Sequence, residues 1–197
     1  MKRPNYNIDR NNVYKDTPSE QLPVDQAYVC KILSAKESNY DWGSRLEIAV
    51  DITEGDYKDF YKQKFEANTN EDKKWPGVVR LPIPKDDGSE RDAWTMTSFN
   101  TNIVAIEDSN PGFTWDWDET KLKGKQIGLV LRNKEYSFNG RSGWYSEPFK
   151  FITVENARAG KFRKPKDKPL PNNSAPASAP SDPSGFINAG VDDDIPF

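Results

Sequence analysis

The sequence predicts a mainly β domain, a small antiparallel barrel with helical insertions, followed by a disordered tail with an acidic tip. Three observations predict it. Apolar residues alternate with period two around a turn near residue 40 and again around a turn near residue 140. Between those strand pairs the apolar spacing becomes helical. Beyond residue 168 no period survives, and Pro, Ser, Ala and Asn dominate.

Residues 1–22 are polar and read as a flexible arm. Residues 27–35 read as a strand, and residues 38–44 as a turn carrying Tyr40 and Trp42. The strand that returns alternates cleanly. Leu46, Ile48, Val50 and Ile52 share one face, and Arg45, Glu47, Ala49 and Asp51 share the other. Tyr57, Phe60, Tyr61 and Phe65 then fall at helical spacing, as core residues of a short helix. Residues 78–83 are a short extended piece whose Pro82 implies an edge or a bulge. A second helix is expected over residues 93–107, with Trp94, Phe99, Ile103 and Ile106 as its stripe and Asn110-Pro111-Gly112 as its stop.

The segment Trp115-Asp116-Trp117-Asp118-Glu119 admits two readings. Three close carboxylates suit a Mg²⁺-dependent nuclease. Equally, Asp116 or Asp118 can cap a short helical turn that Gly124 ends, and this capping reading is preferred. Residues 125–136 form the next strand. Ile127, Leu129 and Leu131 face the core, while Arg132, Lys134 and Tyr136 face away. Phe138 to Gly143 is a hairpin tip in which Asn139-Gly140 suits a tight turn, and residues 144–154 return. The folded domain is assigned to residues 23–155. A basic, then Pro/Ser/Ala-rich, linker follows over 156–190, and an acidic tip over 191–197. The strand count and interrupted order fit a small barrel of the OB type, and an open α+β sheet fits as well.

Composition narrows the chemistry. The chain has 197 residues, no histidine and one cysteine, so Ser-His-Asp and Cys-His catalysis and intramolecular disulfides are excluded. Cys30 lies in an apolar run and reads as core. No apolar run is long enough for a membrane helix and no signal-peptide core is evident, so the expected location is the cytoplasm. No cofactor and no catalytic residue is assigned. The net charge of -3 hides an asymmetry: residues 1–120 carry -8, residues 121–168 carry +9 and residues 169–197 carry -4. A basic block between acidic stretches is the pattern of a domain that binds a polyanion and carries an acidic tail.

Single strands are held by bases stacked on aromatic rings, with Lys and Arg along the phosphates. The sequence interleaves both at Tyr40, Trp42 and Arg45. It does so again at Arg132, Lys134, Tyr136, Phe138, Arg141 and Trp144. Lys73, Lys74, Trp75 and Arg80 form a third candidate patch. The opposing reading packs Trp42, Trp75 and Trp144 onto the barrel as core.

The chain ends Asp192-Asp193-Asp194-Ile195-Pro196-Phe197. Three carboxylates before an apolar pair and a terminal aromatic cannot fold alone, but they can dock in a basic-rimmed apolar pocket. This tip resembles that of bacterial single-stranded DNA-binding proteins, and the order of domain, linker and tip is also similar to that family. Helical insertions and the 125–143 segment look more like the members encoded by phages and mobile elements. The resemblance implies a non-enzymatic protein that binds and protects single-stranded DNA with little sequence preference. Residues 192–197 would then recruit replication, recombination or repair proteins. Two other classes remain: a decoy that sequesters host genome-maintenance enzymes through the tip, and the metal-dependent nuclease.

Overall fold

In a computed structural model the described residues are 21–138 and 140–171. The arm up to residue 20, the turn residue Asn139 and the tip at 192–197 lie outside them. Five strands form one antiparallel sheet in the order β3-β2-β1-β4-β5. They are β1 (Ala27–Tyr40), β2 (Gly43–Ile52), β3 (Val78–Pro82), β4 (Gln126–Phe138) and β5 (Arg141–Ile152). Helix α1 (Phe60–Ala67) lies between β2 and β3 in the chain, and α2 (Glu90–Asp108) between β3 and β4. A 3-10 turn (Glu119–Leu122) leads into β4, and α3 (Val154–Arg158) follows β5. The end strands β3 and β5 come into contact, with no ladder between them among the described residues.

The alternation read from the sequence sets the core. Leu46, Ile48, Val50 and Ile52 are buried, as are Ile127, Leu129 and Leu131, and Cys30 sits among them. The first hairpin is longer than expected. β1 runs to Tyr40, and only Asp41 and Trp42 remain for the turn. Polar residues from Lys36 onward pair as regularly as the apolar ones before them, because the ladder is made by the backbone.

The opposite face of β2 departs from expectation. Arg45 and Asp51 are both buried. Asp51 is covered by α1 and its carboxylate accepts from the backbone N–H of Tyr61 and Lys62, at 3.1 and 3.2 Å. A strand carboxylate thus satisfies N–H groups that the helix leaves unpaired at its start. Burial pushes the Asp51 carboxyl up, against three backbone N–H bonds that favour the charged form.

Ser89 caps the start of α2, its side chain accepting from the Asp92 N–H. Phe99, Ile103 and Ile106 are buried as expected, but Trp94 is exposed and belongs to no core stripe. Buried Asn102 is what ties α2 to the sheet: its side chain accepts from the Phe151 N–H at 2.7 Å.

Past residue 155 the chain keeps its contacts. Val154 and Ala157 of α3 pack on Val29 of β1. The basic segment then returns along β4. Lys168 donates to the Asn133 carbonyl at 2.8 Å and accepts from the Glu135 N–H at 2.9 Å, and Leu170 N–H reaches the Glu135 carboxylate. β4 is open there because its ladder with β1 ends at Val130. The segment assigned to a linker therefore begins as part of the domain. No helix among the described residues is long and apolar enough to cross a membrane.

Candidate nucleic-acid interface

At the β1–β2 tip Tyr40 and Trp42 stack on one another, with centroids 5.1 Å apart and planes 7° from parallel. Both remain about two-fifths exposed (39% and 42%). Arg45 lies beneath them, its guanidinium carbon 4.3 Å from the Tyr40 centroid and 5.6 Å from that of Trp42. Arg45 is therefore not a phosphate ligand on an open face. It is the buried support of an aromatic platform, and a desolvated cation under a ring contributes roughly 2 kcal/mol.

Strand register places Lys36, Arg45, Glu47 and Arg80 on the same outward face. Glu47 is their shared anion, 3.4 Å from Lys36, 3.3 Å from Arg45 and 3.7 Å from Arg80. Tyr40 adds a hydroxyl donor at 3.2 Å. Burial would raise the Glu47 carboxyl, but the cations Lys36, Arg45 and Arg80 more than offset this and hold it below the usual range. Three cations around one carboxylate leave a positive surplus beside an aromatic stack.

The third candidate patch does not form. Arg80 joins Glu47, whereas Trp75 turns inward, donating from Nε1 to the Val50 carbonyl at 2.9 Å and packing on Phe65. Lys73 donates to the Asn68 carbonyl and sits over the Phe65 ring. Trp75 is the core residue that the opposing reading allowed.

On the last hairpin, Arg132, Lys134, Tyr136 and Phe138 share the outward face with Arg141 and Glu147. Glu147 engages two of the cations, Arg132 at 2.7 Å and Lys134 at 3.2 Å. Burial would lower the Lys134 ammonium, but the Glu147 charge raises it. Tyr136, Phe138 and Arg141 stay exposed at the tip. Trp144 is exposed too, but it pairs with Glu135 on the opposite face, so it does not extend this patch. The two tips leave the short β1–β4 ladder in opposite directions, so they are two patches of the sheet rather than one.

The Trp115–Glu119 segment is a capped turn. Asp118 accepts from the Thr120 N–H and hydroxyl, and Asp116 pairs with Lys121. Gly124 closes the turn with φ of 86°. No group of three metal-type ligands occurs among the described residues. What sequence reasoning missed here is the tryptophans. Trp117 is two-thirds exposed (66%) and stacks on Phe99, centroids 5.9 Å apart and planes 13° from parallel, with Trp115 5.1 Å away. Its φ of 68° is rare for a bulky residue. Their signal in the sequence is the Trp-Asp-Trp-Asp alternation, which spaces two indoles as closely as its carboxylates.

No protein-family model matches this sequence, and no curated protein matches it.

Proposed function

We propose that the chain binds and protects single-stranded DNA with little sequence preference, and that residues 192–197 recruit replication, recombination or repair proteins. One observation carries the first half: the stacked Tyr40–Trp42 pair, exposed above a buried arginine and beside the Lys36–Arg80 surplus of charge. Exposed aromatic faces take bases of any identity, and neighbouring cations take the phosphates. Tyr136, Phe138 and Arg141 at the other tip are a second stacking point. A barrel of the OB type is the architecture we infer. The strand order, the helix between β3 and β4 and the contact between β3 and β5 support it. The recruiting role rests on the order of residues in the tip alone.

Titration with oligothymidine, read by tryptophan fluorescence, tests the binding half. Base stacking on the platform quenches Trp42, and Trp42→Ala removes that component and weakens binding about fivefold to a hundredfold, as expected for one lost stack. A chain that shows neither quenching nor retention on single-stranded DNA is the decoy instead, and cleavage of the strand in Mg²⁺ would mark the nuclease. Retention of partner enzymes by the full chain, lost on deletion of residues 192–197, tests the recruiting half.

A further inference from the structure

A cleft of about 340 Å³ opens beside the β1–β2 tip, on the side away from Arg45 and Glu47. Its lining includes Glu37 of β1, Leu46 of β2 and Lys85 beyond β3, together with Trp115, Trp117 and Glu119. Its volume is at the low end for small-ligand sites, about 300–1,000 Å³.

The chemistry of the walls is selective. Trp117 offers a broad exposed ring that is already aligned by Phe99 and Trp115. Its side chain is presented from a left-handed backbone, a conformation that bulky residues avoid and that commonly marks functional sites. Two carboxylates, Glu37 and Glu119, face the cleft against one ammonium, Lys85. This balance repels phosphate. It accepts a flat, uncharged group that presents N–H donors to a carboxylate and a carbonyl to a lysine. A base with only carbonyls beside a single N–H, such as thymine, matches poorly. Guanine matches best, since its pairing edge carries two adjacent donors and one carbonyl.

We propose that this cleft is a base-selective subsite that takes one unstacked guanine from a strand lying across the Tyr40–Trp42 tip. The proposal rests on the single-stranded DNA reading and adds to it a local preference within an otherwise sequence-tolerant track. The strand's phosphates stay on the Lys36–Arg80 face, and a single base turns over the hairpin tip onto Trp117.

The test compares oligothymidine with the same oligonucleotide carrying one central guanine, by fluorescence anisotropy of a labelled strand. The full chain is expected to bind the guanine-containing strand at least about fivefold more tightly, the low end for a two-point base contact. Trp117→Ala and Glu119→Gln are each expected to return the ratio to one. Glu37→Gln is a further exposed-site variant that must reduce it. Equal affinity for the two strands overturns the subsite and leaves the binding function standing. A preference that survives both Trp117→Ala and Glu119→Gln also overturns it. Failure to bind either strand overturns the subsite together with the function on which it rests.

Discussion

Arg45 sits between two interactions that a period-two strand does not reveal. Alternation puts it on the outward face of β2, where a solvated charge is the ordinary expectation. Tyr40 at the end of β1 and Trp42 of the turn close over it, and Glu47 supplies a carboxylate at 3.3 Å. Glu47 is therefore the residue whose loss is most informative. Its folded carboxyl is held below the ordinary range, so the folded chain resists protonation where the unfolded chain accepts a proton. The stabilisation is complete above the unfolded value, about 4.3, and is lost as pH falls through the folded one. Glu47→Gln removes the carboxylate from three cations, one of them buried. We expect a loss of about 2 kcal/mol at neutral pH, because Arg45 keeps its ring contacts. The variant's stability should also fall less steeply than that of the native chain between about pH 5 and 3. Urea unfolding from neutral pH down to about 3 checks both, and equal acid slopes would remove Glu47 from the account. The buried Asp51 shifts the opposite way, but it is common to both proteins and cancels in the comparison.

Among the elements, the junction of β4 with α3 carries a tight packing constraint. A Cβ at Gly128 would lie 2.8 Å from the Ala157 Cβ, the Ile152 side chain and the Thr153 carbonyl. Backbone cannot yield as a side-chain tip can, so Gly128→Ala must displace α3. The expected cost is about 1–3 kcal/mol, with amide exchange accelerated in α3 before the β1–β2 ladder is affected. A variant with native stability and native exchange would mean that α3 docks loosely. This junction also shows where sequence reading stops. The strand pairs and α2 were legible because burial imposes periods of 2 and 3.6 on runs of ten residues or more. α3 spans only Val154–Arg158, too short for a period to register. The return of Lys168 along β4 leaves no pattern at all, since Asn133 and Glu135 bind it through main-chain groups. Among the site residues, the exposed Tyr40, Trp42, Tyr136 and Phe138 were legible from composition and turn position. Burial of Trp75 by its bond to Val50, and the facing of Trp144 away from the tip, depend on register that no single strand contains.

At the scale of the whole molecule, the +9 of residues 121–168 overstates the charge on offer to a polyanion. Arg132 and Lys134 are engaged by Glu147, Arg158 by Glu54 and Lys121 by Asp116. Lys125 lies over the Phe113 ring, and burial lowers the Lys150 ammonium, helped by nearby Arg163. Among the described residues, the cations beside the exposed aromatics of the two tips are fewer: Lys36 and Arg80, which share the single carboxylate of Glu47 with buried Arg45, near the first tip, and Arg141 at the second. Each neutralised phosphate of a single strand contributes about -0.7 to the slope of log affinity against log salt. Three contacts thus predict a slope of about -2, where the full basic block would give about -6. Affinities for oligothymidine between 50 and 400 mM salt (about an eightfold range) decide between them. With three contacts the affinity falls about eightyfold, and with nine it falls by more than five orders of magnitude. The steep result would mean that the stretch around Lys161, Arg163, Lys164 and Lys166 follows the strand, and that its docking on β4 positions charge for DNA rather than only closing the sheet edge. Lys164→Glu and Lys166→Glu would then flatten the slope, while at a slope near -2 the same changes should leave it as it is.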